Sequence, residues 1–469
     1  MSGSPKSSGT EGIAHVLAAW AAAVRFEDLP PAVVETIKTS TLDGLGCGIY
    51  GAALPWSKIV RDVLLDEAQG SGTVDVWGTE HRLPPSAAAL ANGAAVQAFE
   101  VDDYHKRAGL HGSSAMLPAL FSLGELRQRS GQDLIVALAV GWEIGFRISR
   151  AFRDVHLIPR GWHAPTIVGT VAAAAASGRL LGLPVDQLAQ CLGLGAVHAG
   201  GLRVVHFDGM AKRLYAGKAA QSGLLAALLA EGGYVVGGDI FEHPSGFFAT
   251  FAQDRPYHLE ELTDALELPL AAQDIGFKIY ACCAPIHPAI DGLRDLKHMH
   301  PDLDASSVES ITAYLSASSL SAAGHAYKPG SATTAQFSLP YTAAAWLLEG
   351  SAFVDQFRDD LLADPRVLDL AARIECVHEE AFDQLSDRRT TRLAVRMKSG
   401  EVLEISARSG EGYADRPGRE RELREKFFAL TRDAIPGPQA RELAQAVDGL
   451  ELIDDLTDVA ALTMVRPTP

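Results

Sequence analysis

GWHAPTIVGTVAAAAASGRLLGL, Gly161–Leu183, is the stretch that decides the fold. From Arg160 to Arg179 it is nearly uncharged, yet Ala, Gly and Thr make up most of it. A membrane-spanning helix needs about 20 predominantly apolar residues; this run is built of small residues and reads as a helix buried among other helices. Pro165, close to its start, suits a first helical turn. Working outward, helix follows helix from Ile13 to about Gly233: Ser86–Ala98, Ser114–Gln128, Leu134–Phe152, Thr166–Leu181, Val185–Ala196 and Ala211–Glu231. Many carry Ala or Gly at three- or four-residue spacing, which lets helix backbones approach closely. LPPAVVETIKTSTLDGLGCGIYG adds a further helix with Pro at its entry.

The pattern changes after Leu268. Val308–Ala317 (VESITAYLSA) alternates apolar and polar residues as a strand does. Arg373–His378 repeats the alternation, and Arg392–Met397 with Val402–Ala407 brackets a Lys-Ser-Gly-Glu turn, a hairpin signal. Helices near Ala335–Glu349 and Val354–Leu362 lie between. From Gly418 onward the reading returns to helix. The expected fold is mainly α: a flexible N-terminus over 1–12, a large all-helical domain over 13–268, a smaller α+β lid domain over 269–407, and a helical tail over 408–469 that returns to the first domain. A cleft between the two domains is the default active site.

With 469 residues, two domains is the natural division. The net charge of −17 excludes a nucleic-acid binder, which needs clustered Lys and Arg, and disfavours an anionic membrane surface. An anionic substrate would then require a locally basic pocket. The five cysteines form no C-x-x-C pair for redox or metal work, so free thiols in a reducing, cytoplasmic setting are expected. The N-terminus MSGSPKSSGTEG has no apolar targeting run.

Chemistry concentrates in FEVDDYHKRAGLHGSSAMLP, Phe99–Pro118. Glu100, Asp102 and Asp103 stand beside Tyr104 and His105, with Arg107 in the same stretch and His111 next to Gly112. Acid, base and phenol held close together suit proton transfer, and a Gly-Ser-Ser helix start offers free N–H groups to an anion. The plainer alternative is a solvated loop whose aspartates cap a helix. Three more segments stand out. Gly161-Trp-His163 places a histidine before the small-residue helix. Met210-Ala-Lys212-Arg213-Leu-Tyr215 opens another such helix with cations that need a partner or ligand if buried. Phe277-Lys278-Ile-Tyr280-Ala-Cys282-Cys283-Ala-Pro-Ile-His287 lies at the domain junction. Removing a proton α to a carboxylate requires cations or helix N-termini to neutralise the developing charge; Lys212, Lys278 and the helix starts near His111 and His163 fit that role. No G-x-S-x-G, P-loop or H-E-x-x-H motif occurs, and Gly193-Leu-Gly195 lies inside a helical run.

These segments resemble the MmgE/PrpD family, which contains 2-methylcitrate dehydratases, cis-aconitate decarboxylases and iminodisuccinate epimerase. FEVDDYH with His111-Gly112-Ser113, GWHAPTIVGTVAAAAASGRLLGL, KRLYAGKAAQSGLLAALLA, FKIYACCAPIHPAID and AQFSLPY carry the likeness, from about Ile13 to beyond Leu450. The resemblance implies a helical main domain with an α+β lid, a homodimer, a small anionic carboxylate substrate and catalysis without metal or organic cofactor. It also implies a site at Glu100, Asp103, Tyr104, His111, His163, Lys212, Lys278 and Cys283. Many members read D-D-T-H and then H-P-G-S; here Tyr104 replaces the Thr and no Pro follows His111. Decarboxylase-like members carry His where Cys283 falls. These departures direct the sequence reading to epimerisation of an iminodisuccinate-type dicarboxylate. Its expected catalytic residues are Tyr104, His111, His163, Lys278 and Asp103, with Glu100, Lys212, Cys283 and Arg107 binding substrate. His111 is expected as the base and Tyr104 as a proton donor on the substrate-facing wall, with Asp103 or Glu100 orienting one of the two. Dehydration of a methylcitrate-like acid comes next, then cis-aconitate decarboxylation. A carboxylate-binding protein without catalysis is the alternative outside enzymology.

Overall fold

The computed structural model describes residues 12–206, 209–385, 390–408 and 419–465. The N-terminal segment expected to be flexible lies almost wholly outside them. Residue contacts divide the chain into two units. The first comprises the chain up to Ala98, Asp102–Gly276 and everything from Phe427; the second comprises Phe99–Val101 and Phe277–Lys426. The second unit thus begins later than Leu268 and runs beyond the expected end of the α+β region at 407.

The first unit is built on α1 (Ile13–Ala23), α2 (Pro31–Gly51), α3 (Pro55–Ala68), α4 (Pro85–Val96), α5 (Gly112–Arg127), α6 (Gly131–Ala151), α7 (Ala164–Leu181), α8 (Val185–His198) and α9 (Ala211–Glu231). Pro occupies the first turn of α2, α3, α4 and α7, where its missing N–H costs no helical bond. The small residues set the packing. A Cβ at Gly93 of α4 would stand 2.6 Å from Gly217 Cα of α9, and one at Gly217 would stand 2.1 Å from the Leu90 carbonyl. The two backbones therefore touch, and only glycine fits at the crossing. Nearly all of α7 is buried among its neighbours, as its composition requires. It has the length and hydropathy of a membrane span, but 89% of it is buried inside the protein.

This unit is not purely helical. Val74–Asp75 (β1) pairs with Arg82–Leu83 (β2), and Tyr104–His105 (β3) pairs with Ile275–Gly276 (β4), both antiparallel. The second ladder ties the residues just after Asp103 to the segment that ends at Gly276. Two residues per strand are too few to leave a sequence period, which is why these pairs escape a reading by alternation.

The second unit carries a four-stranded sheet of Val308–Leu315 (β5), Ile374–His378 (β6), Thr390–Met397 (β7) and Val402–Arg408 (β8), in the order β6-β5-β7-β8. β5 and β6 are parallel, with Ile311 opposite Ile374. A parallel pair needs a long crossover, and the helices between Ala317 and Ala371 provide it. β7 pairs antiparallel with β5 and with β8, Leu393 facing Ala313 on one side and Ile405 on the other. The helix His287–Met299 packs on β7 and β8, burying Ile290, Leu293 and Leu296. The expected helix over Ala335–Glu349 is two, Ala332–Gln336 and Leu339–Glu349, because Ser338 caps the second and Pro340 enters its first turn.

Candidate active site

In the first unit, α5 starts where three side chains meet. A Cβ on Gly112 would lie 2.1 Å from the Trp142 ring of α6, so glycine lets the helix start rest on the indole. Asp103 serves this helix start. Its Oδ1 accepts from the Ser113 N–H at 3.0 Å and the Ser113 hydroxyl at 2.8 Å, and its Oδ2 accepts from Ser40 Oγ at 2.5 Å. Asp103 is fully buried; burial pushes its carboxyl up, and the Ser40 and Ser113 hydrogen bonds oppose that shift. It is a capping group, which corrects the expectation that it orients His111 or Tyr104.

The orienting carboxylate is Asp102. It has no solvent exposure, and its Oδ2 lies 2.9 Å from His111 Nδ1. His111 is the N-cap of α5. With Nδ1–H donated to Asp102, Nε2 is the nitrogen left to meet a substrate. Gln97 Nε2 also donates to Asp102 Oδ2, at 3.4 Å.

His163 stands at the matching position of α7, as its N-cap. Its backbone N–H donates to Gly201 O at 3.0 Å, its Nδ1 lies 2.5 Å from Thr166 Oγ1, and its ring centroid is 5.0 Å from that of Tyr215. Both imidazoles line one small cavity of about 10 Å³, together with Gln97, Ser114 and Thr166. Helix starts concentrate positive potential at that cavity. Lys212 and Arg213, on the first turn of α9, are 4% and 3% exposed, whereas Met210, Leu214 and the third cation of the segment, Lys218, are exposed. Arg213 Nη1 donates to the Gln97 carbonyl at 3.2 Å.

Three neighbours take other roles. His105 is stacked on Phe146, 5.0 Å between centroids, and near Trp142. Its Nδ1 accepts from the Arg107 N–H at 3.1 Å and its Nε2 lies 3.0 Å from Ala271 O. Burial pushes it down to about 4, so it is a neutral structural ring. Arg107, expected to bind substrate, is instead 62% exposed, bonds Asp274 Oδ2 through Nε at 2.8 Å and lies over Phe146 at 4.9 Å. A long cation with a carboxylate and an aromatic face at hand is held on the surface. Tyr104 is buried with its ring across Gly276, where a Cβ would stand 2.6 Å from Tyr104 Cζ.

In the second unit, Glu100 and Lys278 form a buried ion pair at 3.3 Å, with 3% and 1% exposure. Glu100 has φ +58°, a left-handed conformation that costs a non-glycine residue about 1–2 kcal/mol. It is held there on both sides: Gln336 Nε2 donates to Phe99 O at 2.7 Å, and Lys426 Nζ donates to Val101 O. Lys278 therefore carries its own counterion. Close by in sequence, the Tyr280 hydroxyl donates to Asp291 Oδ1 at 2.8 Å, and Cys283, half-buried, donates its N–H to Gln336 O at 2.8 Å. Burial drives the Cys282 thiol well up, so it stays protonated.

The sequence reading missed Gln97 and Thr166 and set Asp102 aside for its neighbour. The two aspartates are adjacent in sequence and take different partners, and which one meets His111 is a tertiary fact.

A buried carboxylate on one imidazole stands beside a second imidazole, each ring at the N-terminus of a small-residue helix, an arrangement suited to proton transfer. Residues 15–260 match the MmgE/PrpD N-terminal domain and residues 280–452 the MmgE/PrpD C-terminal domain. A cis-aconitate decarboxylase-like protein oryM of Aspergillus oryzae is 35% identical over 94% of this chain and 95% of its own length. A cis-aconitate decarboxylase of Aspergillus terreus is 33% identical, covering 99% and 98%. A mitochondrial 2-methylcitrate dehydratase of Yarrowia lipolytica is 23% identical over 88% and 83%. The chain belongs to the MmgE/PrpD family and is an enzyme of that family.

Proposed function

We propose that this enzyme is a lyase that decarboxylates a cis-aconitate-type unsaturated tricarboxylate. The observation that carries the reading is the near-full-length likeness to two proteins whose names give that activity or a likeness to it. The Asp102–His111 pair supplies the proton transfer the reaction needs. The epimerase expectation gives way here: it leaned on the departures at Tyr104, after His111 and at Cys283, and the relatives described above are a decarboxylase, a decarboxylase-like protein and a dehydratase.

The chemistry follows from the charges. The bond to the departing carboxylate breaks, CO₂ leaves, and its electron pair stays on carbon, delocalised through the double bond onto a remaining carboxylate. Lys212 and the N-termini of α5 and α7 supply positive potential for that charge. His111 provides the proton that quenches the carbanion, with Asp102 holding Nδ1 so that Nε2 faces the reacting carbon. One proton is taken up from solvent in each turnover.

Incubation in D₂O with cis-aconitate, 2-methylcitrate and an iminodisuccinate-type acid, read by NMR and CO₂ release, tests the reading. CO₂ and a five-carbon unsaturated dicarboxylate carrying one deuteron are expected from cis-aconitate. Water loss from the hydroxy acid without CO₂ makes the enzyme a dehydratase, and Cα exchange without either product restores the epimerase. Among the described residues no group of three or more His, Cys, Asp or Glu is placed to hold a metal ion. Prolonged chelation should therefore leave the rate unchanged; loss that added metal reverses contradicts this.

The resemblance also supports a homodimer, and exposed apolar side chains such as Ile59, Val63 and Met210 fit a covered face. Light scattering at twice the chain mass is the expected result, and a stable monomer the contrary one.

A further inference from the structure

We infer that Gln97 accepts a hydrogen bond through its side-chain carbonyl from an O–H donor beside His111, and that this donor is a water molecule carrying the proton from His111 to substrate. The inference rests on the decarboxylase reading only for the last step; the hydrogen bond itself does not.

Gln97 is 2% exposed and is held at two points. Its backbone carbonyl accepts from Arg213 Nη1 at 3.2 Å, and its Nε2 donates to Asp102 Oδ2 at 3.4 Å. His111 Nδ1 and the Gln97 amide both meet Asp102 at Oδ2, which accepts from them, so the NH₂ faces Asp102 and Oε1 takes the other branch. That Oε1 is buried and has no hydrogen-bond partner among the described residues. Buried polar atoms are nearly always satisfied, so this acceptor calls for a donor such as a bound water or a ligand. Gln97 lines the cavity of about 10 Å³ that His111, His163, Ser114 and Thr166 also line. A space of that size holds roughly one water, which needs two to four polar partners. The cavity walls carry them.

The proton balance is simple. Imidazolium Nε2–H donates to the water oxygen, and Gln97 Oε1 takes one water hydrogen, which aims the other at carbon. As the carbanion forms, the water gives that hydrogen to carbon and takes one from Nε2. The water is regenerated and His111 is left neutral. The O–H donor has a second source, a hydroxyl on the substrate itself, which a hydroxy acid has and an unsaturated tricarboxylate lacks.

The test compares wild type with Gln97→Met, which removes the acceptor at similar volume, and Gln97→Glu, which keeps an acceptor. A crystal structure of the ligand-free protein at about 1.5 Å should show an ordered water within hydrogen-bond distance of Gln97 Oε1 and His111 Nε2. The water should be lost in Gln97→Met and retained in Gln97→Glu. With cis-aconitate, kcat should fall about tenfold or more in Gln97→Met, with KM changed less than about threefold, and should fall less in Gln97→Glu. A purely structural role would lower folding stability and affect both variants alike. If Gln97→Met instead weakens binding of a hydroxy acid about tenfold while sparing the unsaturated acid, the hydroxyl is the donor: the acceptor role stands and the water relay falls. No bound water in wild type, together with unchanged kcat and binding in Gln97→Met, overturns the inference whichever reaction the enzyme catalyses.

Discussion

His105 and His111 lie six positions apart in one stretch and do opposite things. His105 packs on Phe146 near Trp142, accepts a backbone N–H, and is pushed down to about 4 by burial. His111 caps α5, has a buried carboxylate on Nδ1 and lines a cavity. On the proposed function, the partner on the ring decides which histidine does chemistry: aromatic walls and backbone groups hold one neutral, and a carboxylate gives the other a counter-charge for a proton in transit. His163 is a third case, at the same helix position as His111 but with a threonine hydroxyl on Nδ1. Asp102 supplies a negative charge to its ring and Thr166 supplies none.

The largest expected effect breaks the comparison at its active member. His111→Ala should lower kcat by about 10²–10⁴-fold, the contribution of a positioned general acid or base. Circular dichroism should be unchanged, since His111 is partly exposed at 22% of its side chain. A well-folded variant with near-normal kcat would assign the proton elsewhere.

Asp102→Asn comes next. The amide either donates to Nδ1, turning the ring into the wrong tautomer, or accepts from it without charge. A fall in kcat of about 10²-fold or more is expected, with KM little changed. Asp103→Asn should act differently: it weakens the cap on Ser113 and Ser40 and shows mainly as lost stability, a contrast steady-state kinetics and thermal melting separate. Equal kinetic losses in the two variants would undo the division of labour between the neighbours. Smaller again is Thr166→Val, which leaves His163 Nδ1 without its hydroxyl. A change in kcat within about tenfold is expected, because a neutral hydrogen bond contributes roughly 0.5–1.5 kcal/mol. A loss as large as that of Asp102→Asn would make His163 an equal partner.

Long, strongly patterned elements were legible in the sequence. The small-residue run of α7 announced a buried helix, the alternation over Val308–Ala317 announced a strand, and the turn between Arg392–Met397 and Val402–Ala407 announced a hairpin. Within the first unit the candidate site was legible as a neighbourhood: His111 and His163 line one cavity, and Lys212 is buried. Individual roles were not. Glu100 carries a left-handed backbone because Lys278, Gln336 and Lys426 pin its surroundings, and no local pattern encodes that. Arg107 read as a ligand cation because its partner Asp274 lies far along the chain. Gln97 is an ordinary polar residue at a helix end until Asp102 fixes its amide.

The smallest effect on activity, and the sharpest on stability, belongs to the silent member of the pair. His105→Gln, which keeps a donor for the Ala271 carbonyl, should leave kcat within about twofold, since both ring nitrogens are engaged by backbone groups and neither is left for a substrate. Its signature is pH. The folded chain keeps His105 neutral down to about 4, whereas an unfolded histidine protonates near 6.5. Between those values the unfolded state binds more protons, so this residue makes stability fall as pH drops from 6.5 towards 4. Other groups titrate in the same window, so the measurement is the difference between wild type and variant in urea midpoints at pH 7 and pH 4.5. Wild type should lose more stability on acidification than His105→Gln. Equal losses would mean that the ring takes up its proton inside the folded protein, and the contrast with His111 would then rest on geometry alone.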